Sequence, residues 1–456
     1  PAGIVQYDEF MGEETEISVT ITNNGPVEAS SAVYIDSFPD HIQIVREDGA
    51  AIEGNVIVWR GKIRNGESES FSYVIKPTKK IKADTFRASL NYFNGFKFKA
   101  PFGGSATPVI TNQIEKLVGA TAPLRMPLDE ARKQGIANVI TAPDDYRRHI
   151  ENFVGINELK KADALVIVDP MHGTGGRWIE NMLAGGKIRV ETIRADRDPM
   201  FGGVLPEPMP WNLELTSRVI RERGALMALV TDGDADRVGA MDERGEYINT
   251  HQILMILLLH LVRNKGLKGS VVRTFSQSVI VRRIAESYGF RLFETPIGFK
   301  HIGEIMLDPA NDFLTGGEES GGIGVRGHIP ERDGIFNSLL LLEAVLAAGK
   351  KPSEIIRDIW GEFGEFHFER RDLHVPIESG LKLVAAMRDN TPSEFAGHKV
   401  TGVATLDGTK LIFEDESWVL FRQSGTEPVL RVYCEATSVE KMTKMMDEGV
   451  RLATES

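Results

Sequence analysis

The chain has 456 residues, of which 42% are hydrophobic and 26% charged, and its formal net charge is −12 at pH 7. This length exceeds one ordinary hydrophobic core and predicts roughly three to four domains of a globular protein. The acidic balance argues against a general binder of nucleic acid or of anionic membranes, but it leaves room for a local basic pocket that takes a small phosphorylated ligand.

Residues 1–95 contain short runs of alternating apolar and polar residues, such as EISVTIT, SAVYID and SFSYVIKP, separated by turn residues. Several such runs without a helical period predict an antiparallel β-sandwich. This part resembles the immunoglobulin-like repeat domains of prokaryotic surface and secreted proteins, in which TITNNGP, an aromatic VW strand and NGESESFSYVIKP recur. We therefore expect an immunoglobulin-like domain over residues 1–95.

After Gly95 the pattern changes to strands that alternate with helices. DALVIVD, the glycine turn PMHGTGG and the helical RWIENMLA form one strand–turn–helix unit, and GSVVRTF with SVIVRRIAESYG forms a second. These units predict two α/β domains with largely parallel sheets, at residues 96–247 and 248–363. The strands VTGVATLD, TKLIFE and SWVLFRQ, set between helical segments, predict an α+β domain at residues 364–456.

Two details of these domains bear on where the protein works. The apolar run ILMILLLHLV at residues 253–262 contains a histidine and is half as long as the roughly 20 residues of a membrane helix, so it predicts a buried helix. The single cysteine, Cys434, excludes an intrachain disulfide and favours a reducing compartment. It follows Leu430 and Val432 in alternation, which predicts a packing role.

The stretch LVTDGDADRVGA at residues 229–240 crowds three aspartates and an arginine onto one turn. Uncompensated like charges at this spacing repel one another, and the crowding is explained if a hard cation lies among them. Asp232, Asp234 and Asp236 alternate, so their carboxylates can converge in an extended turn as oxygen ligands of Mg²⁺ or Ca²⁺. Arg237 would offset the negative charge or hold a phosphate.

Three other interpretations of this loop compete with a magnesium site. An EF-hand loop would have glycine at its sixth position, where Arg237 stands. A phosphatase of the haloacid dehalogenase type would have threonine or valine in place of Ala235. A solvated acidic turn without metal is the simplest alternative. Mg²⁺ accounts for the charge density best, and it keeps positions open for water or a phosphate oxygen, as phosphoryl transfer requires.

Two glycine-bordered loops follow and carry groups suited to a sugar. In ETPIGFKHIGE, a glycine permits a tight turn from which Lys300 and His301 project as a cation and a hydrogen-bonding group. In TGGEESGGIGVRGHIPERDG, glycines flank Glu318 and Ser320, whose carboxylate and hydroxyl can accept hydrogen bonds from sugar hydroxyls. Taken alone, each loop is better explained as an ordinary surface loop.

The last loop, FRQSGTEPVLRVYCEA, lies between two apolar strands at residues 421–436. Two guanidinium groups, two hydroxyls and free backbone N–H groups make it a candidate phosphate clamp. Because the chain is acidic elsewhere, this local concentration of donors is informative. The residues concerned are Arg422, Ser424, Gly425, Thr426 and Arg431.

Together and in this order, the four loops resemble those of the α-D-phosphohexomutase family: phosphoglucomutases, phosphomannomutases and phosphoglucosamine mutases. DGDADR is similar to the family's metal loop, GFKHIGE and GEESGG to its sugar-recognition loops, and RQSGTEPVLRVYCEA to its phosphate-binding loop. The similarity covers residues 94–456 and the family's second to fourth domains. It implies interconversion of hexose 1- and 6-phosphates through a bisphosphate intermediate, a glucose 1,6-bisphosphate-type activator, and a cytoplasmic location.

The resemblance also implies roles for individual residues. Mg²⁺ would be bound by Asp232, Asp234 and Asp236. A hexose phosphate would be the ligand, with no nucleic-acid or membrane partner, and the oligomeric state is left open. The sugar and the phosphate that is not transferred would be bound by the polar residues of the loops, namely Arg237, Lys300, His301, Glu318, Ser320, Arg422, Ser424, Gly425, Thr426 and Arg431.

One part of the family's pattern is not found in the sequence. The family's first domain carries a phosphoserine in a TASHNP loop, and here the pattern resumes at YFNGFKFKAPFGGSATP, which normally follows that loop. RASLNYFNG offers Ser89 as a candidate nucleophile, but it lacks the histidine and proline. Phe86, Ala88 and Leu90 alternate as a plain β-strand with Ser89 on the opposite face. Ser105, in GGSAT, is a weaker candidate, because the family shows it as a structural turn.

Three hypotheses therefore stand at this point. The protein is an active phosphohexomutase; or it binds sugar phosphate and Mg²⁺ without turnover, because no serine reaches the metal; or it is a surface or interaction protein whose sandwich sets its location. The sandwich followed by mutase-like domains can be a natural fusion or a chimera. We expect a mutase origin with little or no turnover.

Overall fold

In the computed structural model, the described residues are 4–6, 15–23, 29–37, 42–52, 56–64, 66–77, 85–92, 99–106, 108–117, 126–137, 144–198, 201–424 and 428–455. The chain divides into two compact units, residues 1–97 and residues 98–456. Over the described part, none of the helices combines the length and the apolar content that crossing a membrane would need.

The first unit consists of β-strands that form two antiparallel sheets. One sheet has the strand order β1-β8-β3-β6-β5 and the other β2-β7-β4. The strands are β1 (Ile4–Gln6), β2 (Thr15–Thr22), β3 (Ala29–Ser37), β4 (Ile42–Asp48), β5 (Ala51–Ile52), β6 (Val56–Ile63), β7 (Ser68–Pro77) and β8 (Thr85–Tyr92).

Side chains from both sheets meet in one hydrophobic core. The ring of Trp59 in β6 stacks on that of Phe71 in β7 with centroids 5.8 Å apart. The hydroxyls of Tyr34 and Tyr73 lie 3.4 Å apart across the same interface. The period-2 alternation explains this core, since Ile17 of β2 is buried between exposed polar neighbours. The predicted strands of this part are confirmed, whereas the immunoglobulin-like relationship stays a prediction.

The second unit alternates helices and strands. Its helices are α1 (Pro108–Glu115), α2 (Leu128–Lys133), α3 (Asp144–Phe153), α4 (Ile156–Leu159), α5 (Trp178–Leu183), α6 (Glu214–Arg223), α7 (Thr250–Arg263), α8 (Val279–Ser287), α9 (Phe299–Leu307), α10 (Gly334–Ala348), α11 (Pro352–Phe363), α12 (Ile377–Asp389) and α13 (Val439–Glu455). Its strands are β9 (Leu165–Asp169), β10 (Arg189–Thr192), β11 (Met227–Thr231), β12 (Val238–Met241), β13 (Tyr247–Ile248), β14 (Ser270–Thr274), β15 (Leu292–Thr295), β16 (Phe313–Gly317), β17 (Ile323–Val325), β18 (His367–His374), β19 (Glu394–Phe395), β20 (His398–Ala404), β21 (Thr409–Phe413), β22 (Trp418–Gln423) and β23 (Val429–Ala436).

These strands form three sheets in chain order. The first has the order β10-β9-β11-β12-β13 and the second β15-β14-β16-β17; in both, the first three strands in this order are parallel and the strands after them pair in antiparallel fashion. The third, β18-β23-β22-β21-β20-β19, is antiparallel. The predicted order of two α/β domains and a final α+β domain is confirmed. In the two α/β sheets, the loops that follow the parallel strands carry the predicted functional residues, as open α/β sheets commonly do.

Two helices that are apolar on every side lie at the centre of the second unit. α10 contains the run Leu339–Leu342, in which all four side chains are fully buried, and it packs against β11, β12 and α7. α7 contains the predicted buried stretch, residues 253–262, and confirms that prediction. One continuous hydrophobic core runs from the first α/β sheet past these helices to Trp418 and Tyr433 in the third sheet.

A lysine is buried where the second and third sheets of this unit meet. The ammonium nitrogen of Lys410 in β21 lies 4.2 Å from the ring centre of Phe275 and 4.4 Å from that of Trp418. It donates a hydrogen bond to the Phe275 carbonyl. Burial and the neighbouring Arg273 lower the pKa of Lys410 to about 7, although Glu294 and Glu435 oppose this shift.

We expect the free energy of unfolding to rise with pH above neutrality because of Lys410. In the unfolded chain this amine stays protonated until the pH reaches the ordinary lysine pKa of about 10.4. In the folded protein it releases the proton at about pH 7. Between these values the unfolded state binds one more proton, so this group adds up to about 1.4 kcal/mol per pH unit. Lys410→Met should remove that gain in urea unfolding curves.

The matched control is Lys399→Met, which removes an exposed lysine from β20 of the same sheet. It should keep the pH dependence of the unmodified protein. If Lys410→Met shows the same rise in unfolding free energy as the unmodified protein, the lowered pKa of Lys410 is wrong.

Candidate functional site

The acidic loop lies between β11 and β12, which pair as neighbouring antiparallel strands. One carboxylate oxygen from each of Asp232, Asp234 and Asp236 lies within 4.8 Å of the others. Between them, Ala235 adopts the left-handed conformation, with φ of 59°. This is an uncommon conformation for a residue with a side chain, and it turns the backbone so that the flanking carboxylates converge.

Two neighbouring segments hold the acidic loop in this shape. The Gly334 N–H at the start of α10 donates to the Ala235 carbonyl at 2.8 Å. From the other side, Thr174 of the PMHGTGG turn donates to the Gly233 carbonyl at 3.0 Å. A Cβ at Gly173 would lie 2.6 Å from that same carbonyl oxygen, so the close approach of the two loops requires glycine there.

Arg237 compensates part of the negative charge of the loop. Its Nε donates to Asp232 at 2.6 Å, and another guanidinium nitrogen donates to Glu207 at 3.1 Å. Burial opposes the positive charge, but the attraction of Asp232 and Glu207 outweighs it and raises the pKa of Arg237 above its usual value. The side chain is therefore a fixed cation at the edge of the loop.

A second arginine, Arg332, joins the acidic loop to the predicted sugar loop. One of its nitrogens donates to Asp236 at 2.6 Å and another to Glu318 at 3.0 Å. Burial works against its charge, yet Glu318 and Asp236 raise its pKa. Sequence reasoning did not select Arg332, although it stands in the PERDG segment at the end of the quoted loop. Its position in the sequence between Glu331 and Asp333 is the signal that could have identified it.

Glu318 and Arg332 both face a pocket of about 300 Å³. Lys300 at the start of α9 is exposed and lines the same pocket. The Ser320 hydroxyl donates to Glu318 at 2.7 Å and so fixes that carboxylate. His301 is not among the described residues that line the pocket, and its Nδ1 lies 3.8 Å from Glu304 one turn further along α9.

The predicted phosphate clamp lies on two adjacent strands of the third sheet. Arg422 in β22 stands directly opposite Arg431 in β23. Arg422 pairs with Asp407 at 3.0 Å, and Arg431 pairs with Asp372 at 3.3 Å. Ser424 is buried at the end of β22. The other two predicted clamp residues, Gly425 and Thr426, lie outside the described residues.

Arg370 is a third guanidinium group on the same face of this sheet. It donates two hydrogen bonds of 2.6 Å to Asp372, the carboxylate that also contacts Arg431. Its guanidinium carbon lies 6.0 Å from the ring centre of Tyr433. Sequence reasoning missed Arg370, because FHFERRDLHV alternates charges that are equally typical of a solvated strand.

Two contacts bring the clamp next to the sugar pocket. Asp407, the partner of Arg422, accepts a hydrogen bond of 2.8 Å from the backbone N–H of Ile297, directly before the glycine turn of Lys300. Glu319, the neighbour of Glu318 in the chain, interacts electrostatically with both Arg370 and Arg422. Burial and Glu318 raise the pKa of Glu319. The acidic loop, the pocket and the clamp are thus linked in that order.

Two further residues of the sequence analysis are Cys434, which was predicted to pack, and Ser89, the first candidate nucleophile. Cys434 is fully buried in β23, and burial raises the pKa of its thiol, which agrees with the predicted packing role. The backbone of Ser89 lies in β8, paired with Ile35 of β3 in the first unit. The side chain of Ser89 lies outside the described residues.

Comparison with known proteins connects this arrangement to one family. Three domain profiles of that family match the chain: phosphoglucomutase/phosphomannomutase alpha/beta/alpha domain II at residues 144–245, alpha/beta/alpha domain III at 249–363, and the C-terminal domain at 383–452. The match to domain II contains the acidic loop, the match to domain III contains the sugar pocket residues Lys300, Glu318 and Arg332, and the match to the C-terminal domain contains the clamp.

Individual relatives agree with these matches. The chain is 30% identical over 329 residues to a phosphoglucomutase/phosphomannomutase of Thermococcus kodakarensis, which covers 72% of this chain and 68% of the relative. It is 29% identical over 350 residues to a phosphoglucosamine mutase of Streptomyces griseus, and this match covers 76% of this chain and 72% of the relative. The chain also superposes on a crystal structure of a candidate phosphomannomutase from Thermus thermophilus with a TM-score of 0.65. The two sequences are 31% identical, and the match covers 84% of this chain and 75% of the chain in that crystal structure. The chain belongs to the α-D-phosphohexomutase family, which contains the phosphoglucomutases and phosphomannomutases.

Proposed function

We propose that residues 98–456 form the hexose-phosphate and Mg²⁺ site of a phosphohexomutase, a protein that interconverts hexose 1-phosphate and hexose 6-phosphate through a bisphosphate. One observation carries the proposal. Arg332 contacts both Asp236 of the acidic loop and Glu318 of the pocket, so a ligand in the pocket lies beside the predicted metal ligands. A phosphate ester held there would have its reacting group next to the cation that assists phosphoryl transfer.

The acidic loop fits Mg²⁺ by its chemistry. Its three aspartates supply oxygen ligands only, and their carboxylate oxygens lie within 4.8 Å of one another, a span that one hard cation can draw together. Arg237 and Arg332 reduce the net charge of the cluster and orient Asp232 and Asp236. When bound, Mg²⁺ would polarise a phosphoryl oxygen. The residues that would hold it are Asp232, Asp234 and Asp236.

The clamp fits a phosphate dianion. Arg422, Arg431 and Arg370 lie on one sheet face, where Arg422 pairs with Asp407 and the other two pair with Asp372. Paired guanidinium groups are well suited to phosphate oxygens because they donate parallel hydrogen bonds. The 300 Å³ pocket next to the clamp has the size of small-molecule sites.

The hexose itself is proposed only as a class. The named activities of the relatives are those of phosphoglucomutase/phosphomannomutase and of phosphoglucosamine mutase. Glu318 accepts from sugar hydroxyls or from an amino group equally well, since an ionised carboxylate is an acceptor for both donors. Glucose, mannose and glucosamine phosphates are therefore the substrates to compare.

Removal of the clamp arginine should weaken sugar-phosphate binding. Arg422→Ala deletes a charge-assisted donor, and we expect a loss of at least about tenfold in glucose 6-phosphate affinity by isothermal titration calorimetry. The control is Arg451→Ala in α13, which removes an arginine paired with Glu448 within its own helix and should bind normally. Equal affinities for Arg422→Ala and the unmodified protein would contradict the clamp.

Removal of one acidic ligand should weaken binding of a divalent cation. Asp234→Asn leaves a neutral amide in place of a charged oxygen ligand, and we expect at least about tenfold weaker Mn²⁺ binding by electron paramagnetic resonance. Asp389→Asn is the control, because Asp389 is an exposed aspartate at the end of α12. Mn²⁺ affinity that is unchanged in Asp234→Asn would show that the acidic loop is not a metal site.

The main alternative is a binder of sugar phosphate and Mg²⁺ that does not turn its ligand over. The observation in its favour is that no TASHNP-like loop occurs in the sequence and that Ser89 lies in a strand of the other unit. Glucose 1-phosphate turnover, assayed with Mg²⁺ and catalytic glucose 1,6-bisphosphate, distinguishes the two. Turnover supports the mutase, and binding without turnover supports the alternative.

A further inference from the structure

A short hairpin, residues 99–105, contributes to the pocket. Lys99 and Ser105 form an antiparallel bridge, and the Ala100 N–H donates to the Gly104 carbonyl at 2.9 Å. Gly104 lies against the loop that leads to Arg332, since a Cβ there would stand 2.5 Å from the Pro330 carbonyl oxygen. The hairpin is thereby seated on the sugar-side loop of the same unit.

Ser105 is the one residue with a hydroxyl group among the described residues that line the pocket. Its hydroxyl donates to Oε2 of Glu331. The same carboxylate oxygen accepts from the ammonium group of Lys99 at 2.5 Å, and that ammonium also lies 3.3 Å from the Ser105 oxygen. Serine, carboxylate and ammonium therefore form one closed group of hydrogen bonds.

Glu331 is fixed and charged. Its side chain is 8% exposed, and its other oxygen accepts from the backbone N–H of Arg332 at 3.1 Å. Burial raises the pKa of Glu331, but the hydrogen bonds from Lys99 and Ser105 outweigh this effect and lower the pKa below its usual value. Ser105 itself is exposed. An accessible hydroxyl that donates to a fixed, ionised carboxylate has the arrangement of a nucleophile with its base.

We propose that Ser105 is a phosphoryl acceptor, taking the phosphoryl group of a hexose bisphosphate bound in the pocket. The inference rests on the proposed hexose-phosphate site, because the donor must lie in that pocket. Lys300 and Arg332 line the same pocket and would offset the charge of the transferring group. Since Ser105 lies in the unit that contains the pocket, the assignment does not need Ser89.

The step balances without any further reagent. The Ser105 oxygen attacks phosphorus, an Oγ–P bond forms, and the bond between phosphorus and the sugar oxygen breaks. The hydroxyl proton passes to Glu331, and the departing sugar oxygen takes a proton from the ammonium group of Lys300. The products are phosphoserine and a hexose monophosphate, and the two side chains recover their protonation states from solvent.

The test maps phosphate on the full chain after incubation with glucose 1,6-bisphosphate and Mg²⁺, using mass spectrometry of its peptides. We expect phosphate on Ser105 of the unmodified protein and none in Ser105→Ala. Glu331→Gln should slow phosphorylation by about 100-fold or more, because the amide cannot take up the proton.

A matched control is available in α11. The Ser353 hydroxyl donates to Glu243 at 2.5 Å, a serine–glutamate pair of the same kind that is not among the described residues lining the pocket. Ser353→Ala should therefore be phosphorylated like the unmodified protein. The mapping on the unmodified protein does not depend on whether Ser105→Ala folds.

Each other outcome overturns the assignment. Phosphate found on a different serine, Ser89 included, or phosphorylation that persists in Ser105→Ala, shows that Ser105 is not the acceptor. Absence of phosphorylation while glucose 6-phosphate still binds rejects the acceptor and leaves the proposed binding site intact. Absence of both phosphorylation and glucose 6-phosphate binding shows that the proposed function itself has failed.

Discussion

The arrangement of the site depends on the guanidinium group of Arg332, which lies between the carboxylates of Asp236 and Glu318. These two carboxylates come from different α/β domains, and at close range they would repel each other without a cation between them. A planar guanidinium group can donate to two carboxylates in fixed directions, which a lysine cannot do. One side chain thus connects the acidic loop to the pocket, beside the backbone hydrogen bond from Gly334 to Ala235.

The loop that contains Glu318 and Glu319 also connects the pocket to the third sheet. Glu318 faces Arg332, whereas its neighbour Glu319 interacts with Arg370 and Arg422. The Ser276 hydroxyl donates to Glu319 at 2.5 Å and holds it in place. Two adjacent glutamates therefore fix the relative positions of cations that belong to two domains, and the charge of each guanidinium group is compensated without a ligand.

The local sequence pattern was sufficient to predict some residues of the site and insufficient to predict others. The alternation of Asp232, Asp234 and Asp236 on one turn predicted their convergence, because neighbouring residues must end close together. The sequence did not predict roles for Arg332, Arg370 and Asp407, because each acts through a contact with a residue on another helix, strand or loop. The contact of Ser105 with Glu331 joins residues 226 positions apart, and no local pattern contains it. The immunoglobulin-like relationship of the first part rests on sequence resemblance alone.

The two fully apolar helices have a consequence for how such a chain can be altered by recombination. α7 and α10 belong to one core that extends from the first α/β sheet to the third sheet. A break between these domains would leave wide apolar surfaces in water, and the separated pieces would aggregate. A junction near residues 97 and 98 lies between the two compact units, and the described core clusters have all their residues in one unit or the other. Recombination at that junction divides none of these clusters, whereas a break between α7 and α10 divides the one to which both helices belong.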